Sequence, residues 1–240
     1  MATSPIGKSE IDKSDIFGVS RPLIAPSLLA ADFARLGDEI DDVLAGGADL
    51  LHLDVMDGLF VTDISFGTPV VKSVRRYTDA YLDVHVMIDR PEDYARPLVD
   101  AGADGISFHV ELADNVRRTL RGLTDAVAET GTNVGVVLNP LTPAEVAFPA
   151  IDDERVKLVL VMSVVPGKGG QAFMAEVLPK CEQLAKRMRP DQRLEIDGGI
   201  DASTIKSARD AGVDWFVAGS SVFGAEDRAT AIAEMRAQCS

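Results

Sequence analysis

Apolar positions in this chain gather in short runs separated by longer amphipathic stretches. The runs Leu-Leu-His-Leu-Asp (50–54), Asp-Val-His-Val-Met (83–87) and Gly-Ile-Ser-Phe-His (105–109) have the character of strands buried on both faces of a parallel sheet. Strands are predicted at 22–25, 50–54, 81–86, 105–109, 134–138, 157–162, 193–197 and 215–218. Helices are predicted between them at 32–46, 67–77, 91–101, 114–130, 142–149, 171–188 and 202–211, with a last one from 225. A small-residue stop ending in Asp recurs before strands: Ala45-Gly-Gly-Ala-Asp49, Ala101-Gly-Ala-Asp104 and Ala211-Gly-Val-Asp214. Glycine just past a helix permits the left-handed cap that turns the chain back toward a sheet.

Eight such units in 240 residues, with no linker-like Pro/Gly/Ser stretch, predict one α/β domain, a (β/α)8 TIM barrel. A doubly wound open sheet fits less well. Pro26-Ser27-Leu28-Leu29 stands where its Gly-x-Gly-x-x-Gly turn would follow the first strand. Residues 1–20, polar and mixed in charge, read as a flexible N-terminal tail, leaving 21–240 as the barrel catalytic domain.

Charge narrows the partners. With 24 basic and 38 acidic residues the net charge is −14, which disfavours nucleic acid and anionic membranes, so any phosphate must be held by local structure. No apolar run approaches the roughly 20 residues of a membrane span, and the N-terminus lacks a secretory apolar centre. Cys181 and Cys239 show neither disulfide-framework nor zinc spacing, which suits a reducing cytoplasm.

A TIM barrel carries its chemistry at the C-terminal ends of its strands, here Ser27, His52, Asp54, His85, His109, Asn139, Met162 and Asp197. Alternation puts His52 and Asp54 on one side of their strand, so both can face the barrel axis, and Asp197 comes from the opposite side of the mouth. Two imidazoles and two carboxylates there could hold one divalent metal ion: zinc, iron(II), manganese or cobalt. Carboxylates on opposite sides of a substrate could also act as two acid/base groups. His109 reads as a packing or supporting residue.

Residues 165–171 (Val-Pro-Gly-Lys-Gly-Gly-Gln) follow the sixth strand and are expected to open a helix. Gly198-Gly199 follows the seventh strand and Gly219-Ser220 the eighth. Loops with little side chain let backbone N–H groups approach an anion. Met56, Met87 and Met162 at or beyond strand ends read either as core filling or as a water-poor cover over a reactive intermediate.

The motifs Ala25-Pro-Ser-Leu-Leu-Ala-Ala-Asp-Phe33, His52-Leu-Asp-Val-Met-Asp-Gly58, Asp83-Val-His-Val-Met87, Leu138-Asn-Pro-Leu-Thr-Pro143, Pro166-Gly-Lys-Gly-Gly-Gln171, Asp197-Gly-Gly-Ile200 and Val217-Ala-Gly-Ser220 together resemble the ribulose-phosphate 3-epimerase family. The resemblance implies a metal-dependent epimerase of carbohydrate metabolism, an isomerase of the pentose phosphate pathway. It would interconvert D-ribulose 5-phosphate and D-xylulose 5-phosphate by C3 proton abstraction through an enediolate.

It further implies that His52, Asp54, His85 and Asp197 bind the metal and that Asp54 and Asp197 form the acid/base pair. Ser27 and His85 would contact substrate, Gly167, Lys168, Gly169, Gly170, Gly198, Gly199, Gly219 and Ser220 would hold phosphate, and the three methionines would cover the intermediate. A small phosphosugar substrate and assembly as a homo-oligomer are expected.

Leu59, Thr62-Asp63, Val165 and Lys168 depart from the family's usual His, Pro-Asn, Asn or Glu, and aromatic residue. They leave open another ketose phosphate, such as allulose 6-phosphate. A decarboxylase or aldolase on the same fold is disfavoured, because Asp54-Val-Met-Asp57 lacks the lysine of an Asp-x-Lys-x-x-Asp stretch. A non-catalytic phosphosugar-binding barrel is disfavoured by retention of both carboxylates.

Overall fold

In a computed structural model that describes residues 11–112 and 116–239, the apolar runs pair into one parallel sheet. Its strands are β1 (Leu23–Pro26), β2 (Leu51–Met56), β3 (Leu82–Met87), β4 (Gly105–His109), β5 (Asn133–Leu138), β6 (Val156–Met162), β7 (Arg193–Asp197) and β8 (Trp215–Ala218). The order is β1-β8-β7-β6-β5-β4-β3-β2. A parallel bridge between Ser27 and His52 joins β1 to β2 at the remaining seam. The barrel is therefore nearly closed.

Around it lie α1 (Leu36–Ala45), α2 (Thr68–Tyr77), α3 (Glu92–Ala101), α4 (Val116–Ala126), α5 (Phe148–Ile151), α6 (Leu178–Arg187), α7 (Ile205–Asp210), α8 (Ser220–Phe223) and α9 (Arg228–Cys239).

The period of two along each strand decides what faces where. Leu53, Val84, Phe108, Val136, Val159, Ile196 and Phe216 point outward into a continuous apolar layer beneath the helices. The intervening positions point into the barrel. At its N-terminal end Leu23, Leu50, Tyr81, Leu158 and Trp215 fill the interior, and polar side chains follow above them.

The recurring Ala-Gly-x-Asp phrase has a structural role at that lower end. Gly47, Gly102 and Gly212 have φ of 96°, 108° and 96°, and at Gly102 a Cβ would lie 2.2 Å from the Arg75 side chain. The following Asp then accepts from the first amides of a neighbouring strand: Asp49 Oδ2 from Ile24 at 2.7 Å, Asp104 Oδ2 from Leu82 at 2.9 Å and Asp214 Oδ1 from Leu194 at 3.2 Å. These amides lie where the sheet ladder begins. The motif thus turns the chain and caps the adjacent strand.

Several boundaries differ from the sequence reading. The stretch 32–46 begins as a 3-10 turn, Phe33–Arg35, before α1, and 142–149 resolves into Ala144–Ala147 and α5. Of 114–130, residues 114 and 115 lie outside the described residues. The stretch 171–188 becomes helical only at the 3-10 turn Ala175–Val177 and α6, where Pro179 occupies the first helical turn.

The segment read as a flexible tail also differs. Residues 1–10 lie outside the described residues, but Lys13–Gly18 forms a 3-10 helix that buries Ile16 under the barrel floor. Phe17 lies 5.9 Å from the Trp215 ring, and Lys13 pairs with Asp104 at 2.8 Å. A short apolar pair in a polar segment suffices to dock it.

Candidate active site

The polar interior starts from strand register. β2 and β3 pair with His52 beside Asp83 and Asp54 beside His85, so inward positions of both strands carry ionisable groups at two successive levels. β7 supplies Glu195 at the lower level and Asp197 at the upper. All six are buried or nearly so, with Asp197 the most exposed at 17% of its side chain.

At the lower level His52 Nδ1 is 2.7 Å from Asp83 Oδ2 and 3.4 Å from Glu195 Oε1. This directs Nε2 upward, where it is buried without a hydrogen-bond partner among the described residues and lies 3.5 Å from Asp54 Oδ1. At the upper level His85 Nδ1 is 3.1 Å from Asp54 Oδ1 and 3.9 Å from Asp197 Oδ2. Ser27 donates its hydroxyl to Asp54 Oδ2 at 2.6 Å. One ligand atom from each of His52, Asp54, His85 and Asp197 falls within 4.8 Å of the others.

An orphaned imidazole nitrogen beside two carboxylates is what a divalent cation would satisfy, so this donor set fits a metal ion. His52, Asp83 and Glu195 form a second close group on the opposite nitrogen of the same imidazole. The first group opens to the cavity and the second is sealed beneath it.

Electrostatics separate the two upper carboxyls. Burial alone would raise Asp54, but the charge of His52, 3.5 Å away, and the hydrogen bond of His85 outweigh it and hold Asp54 well below the usual carboxylate range. Burial and the nearby Asp54 charge push Asp197 up to about 7. Near neutrality one carboxyl is thus ionised while the other retains much of its proton. Burial lowers His85, and it drives Glu195 well above the usual range with help from the Asp83 charge.

Above these groups lies a cleft lined by Ser27, Asp54, Asp197, all three methionines, Gly167 to Gly170, Gly198, Gly199, Gly219 and Ser220. The structure therefore brings these sequence-predicted residues together around one space. His52 and His85 sit behind it at 0% exposure. Met56, Met87 and Met162 are buried at 5%, 1% and 2%, as a water-poor wall would require.

Close approach accounts for two of the glycines. A Cβ on Gly198 would lie 2.9 Å from Val164 N, and one on Gly199 would lie 2.4 Å from Phe173 N. Both have positive φ, 122° and 63°.

One element of the phosphate-loop expectation is corrected. Residues 167–170 do not open a helix. Gln171 Nε2 donates to Val165 O at 2.6 Å and Lys168 O at 2.9 Å, folding the loop on itself, while Met174 N donates to Ser163 O at 2.9 Å. Phe173 is packed against Gly199, so 171–174, without helix or strand structure, runs beside the loop after β7.

The sequence reading assigned no role to Asp83, Glu195 or Glu111. Asp83 and Glu195 stand two residues before His85 and Asp197 on the same inward faces, so the period of two already pointed at them. His109, expected to pack or support, lies with its Nε2 at 2.8 Å from His85 Nε2.

Comparison with known proteins agrees with this geometry. The 3-hexulose-6-phosphate synthase of Salmonella typhimurium superposes with a TM-score of 0.67 at 17% identity, covering 90% of this chain and 98% of that one. The 3-keto-L-gulonate-6-phosphate decarboxylase of Vibrio cholerae gives 0.67 at 17%, covering 92% and 98%. At such identities these likenesses establish the fold. Sequence similarity reaches further. The ribulose-phosphate 3-epimerase of Mycobacterium tuberculosis is 48% identical over 221 residues, 90% of this chain and 93% of that protein. That of Bacillus subtilis is 46% identical over 218 residues, 89% and 97%. The cytoplasmic isoform from rice is 46% identical over 214 residues, 89% and 92%. The model of the ribulose-phosphate 3 epimerase family matches residues 23–223, from the start of β1 to the end of α8, and the chain belongs to that family.

Proposed function

We propose that this chain interconverts D-ribulose 5-phosphate and D-xylulose 5-phosphate by moving the C3 proton between faces, as a metal-dependent enzyme of the pentose phosphate pathway. The observation that carries the reading is the pair Asp54 and Asp197, brought from β2 and β7 to line one cleft that ends in glycine loops. Relatives that bear the epimerase name at 46–48% identity support it.

The chemistry needs a base on one face of C3, an acid on the other, and charge stabilisation between them. Asp54, ionised, takes the C3 proton of one epimer, and the electron pair left at C3 delocalises into the neighbouring ketone as an enediolate. Asp197, carrying a proton, delivers it to C3 from the opposite face. The step leaves Asp54 protonated and Asp197 ionised, which is the starting state for the reverse reaction. A divalent ion held by His52, Asp54, His85 and Asp197, with zinc, iron(II), manganese and cobalt all suited to the donors, would supply positive charge for the developing oxyanion.

Ser27 keeps Asp54 aimed through their 2.6 Å hydrogen bond. Met56, Met87 and Met162 exclude water from the intermediate, and backbone amides of 167–170, 198–199 and 219–220 hold the phosphate. Residues 21–240 act as one catalytic unit. The rice relative is a cytoplasmic isoform, which supports the same compartment here, and no helix among the described residues is long and apolar enough to cross a membrane.

A second reading, epimerisation of another ketose phosphate such as allulose 6-phosphate, is favoured by one observation. Leu59, Thr62, Val165 and Lys168 all line a single groove beside the cleft. Protein of defined metal content assayed against a panel of ketose phosphates, with epimers resolved by NMR, decides between them. Turnover of ribulose 5-phosphate ahead of the six-carbon substrates is the expected result. Absence of turnover on every ketose phosphate would overturn both readings.

A further inference from the structure

His109 has no solvent exposure and lies between two rings, with the His85 centroid at 5.0 Å and the Phe60 centroid at 4.7 Å. Its Nε2 is 2.8 Å from His85 Nε2, and its Nδ1 is 3.2 Å from Glu111 Oε2. A hydrogen bond between two imidazole nitrogens contains one proton, so one Nε2 donates and the other accepts. A cation bound at the site would fix the choice. His85 Nδ1 is the nitrogen that faces Asp54 at 3.1 Å and Asp197 at 3.9 Å.

To offer a lone pair on that side, a neutral His85 must carry its proton on Nε2 and donate it to His109. His109 then accepts at Nε2 and carries its own proton on Nδ1, where it requires an acceptor. Glu111 supplies one. Its other oxygen, Oε1, accepts from the Asn139 amide at 2.8 Å and from the Thr142 hydroxyl, which ties the carboxylate to the loop after β5.

We propose that Glu111 is a positioning residue for the cation site: through His109 it selects the tautomer in which His85 presents Nδ1 to a divalent metal ion. The proposal rests on the reading of His52, Asp54, His85 and Asp197 as that site. It extends the hydrogen-bonded support behind one ligand from a single partner to a chain of two side chains, Glu111 to His109 to His85. Outer partners of this kind commonly change metal affinity 10- to 100-fold. A Glu111 that only ties the loop to β4 would affect stability and leave cation affinity alone.

The test uses metal-stripped full-length protein titrated with zinc against a chromophoric chelator. In Glu111→Gln the carbonyl oxygen must stay toward the Asn139 amide, so the NH2 group turns to His109 and forces it to accept at Nδ1. His109 protonated at Nε2 then opposes the Nε2 proton of His85. The zinc dissociation constant of Glu111→Gln is expected to rise about 10- to 100-fold. Thr142→Val, which leaves the His109 contact in place, should bind zinc like wild type. Nitrogen-15 NMR of zinc-loaded wild type, which does not depend on the variant folding, should find His109 protonated at Nδ1. Equal zinc affinity in Glu111→Gln and wild type, or a His109 proton on Nε2, overturns the proposal while the metal site stands. Failure of wild type itself to bind zinc overturns both.

Discussion

Ser27 donates its hydroxyl to Asp54 Oδ2 at 2.6 Å across the seam between β1 and β2. A parallel bridge from Ser27 to His52 joins the same two strands, so barrel closure and the aim of a reactive carboxylate share Ser27. Ser27→Ala removes a hydrogen bond to an ionised group, worth about 1.5–3 kcal/mol. It should lower stability at neutral pH by about that amount in urea unfolding. It should also lower kcat, because Asp54 loses a donor that favours its charged form.

His85 contributes one of four converging donors, and the buried Nε2 of His52 has no hydrogen-bond partner among the described residues. Chelator-stripped protein should therefore lose most activity and regain it with a divalent transition ion. His85→Ala should retain less metal after dialysis, measured by elemental analysis. Full activity in verified metal-free protein would contradict the proposed role of the cluster.

The raised carboxyl of Asp197 has a consequence for metal-free protein. Its value is about 7 in the folded chain against 3.8 for an ordinary aspartate, so the folded state holds a proton that the unfolded state releases at lower pH. Stability from this group is therefore lost as pH rises from about 4 to about 7. Asp197→Asn removes the ionisation. Relative to metal-free wild type, its stability should improve by roughly 2–3 kcal/mol more at pH 8 than at pH 5, from 1.36 kcal/mol per pKa unit. A pH-independent difference in denaturant midpoint would show that Asp197 titrates normally.

His52, Asp54, His85 and Asp197 were legible in the sequence because each lies on a strand, where the period of two leaves only an inward and an outward face. The Ala-Gly-x-Asp repeat was equally visible, although its capping of adjacent strands emerges only when the strands are paired. Glu111 was not legible. It falls in the 3-10 turn Val110–Leu112 just past β4, where the strand period no longer applies and its partners Asn139 and Thr142 come from another loop. The start of the helix after β6 was missed because the packing of Phe173 against Gly199 is a long-range contact with no local signature. Ile16 illustrates a third limit: one apolar side chain against a barrel floor leaves no periodic pattern.

Lys168 is exposed and lines both the cleft and the adjoining groove. The acidic chain has a net charge of −14, so a lysine beside a phosphate would offset local repulsion as well as attract the ligand. Lys168→Phe should raise KM for the phosphorylated substrate more than it lowers kcat, because the phosphate is bound alike in ground and transition states. The increase should shrink at high ionic strength. An unchanged KM across the ketose phosphates would leave the lysine a solvated bystander.

The two-carboxyl mechanism makes the sharpest demand on Asp54 and Asp197. If each serves one face of C3, removing either should cut interconversion by about 10²-fold or more, the lower end of acid–base contributions. The two variants should fail differently. In heavy water, Asp54→Asn retains the Asp197 carboxyl and should exchange the C3 hydrogen of one epimer slowly. Asp197→Asn retains Asp54 and should exchange that of the other. Wild type should incorporate solvent deuterium at C3 of both epimers as they interconvert. Because both residues belong to the four-donor cluster, metal content must be matched before rates are compared. Exchange into the same epimer by both variants would mean that the carboxyls do not flank C3 from opposite sides. Near-wild-type interconversion by either metal-replete variant would remove that residue from the acid/base pair.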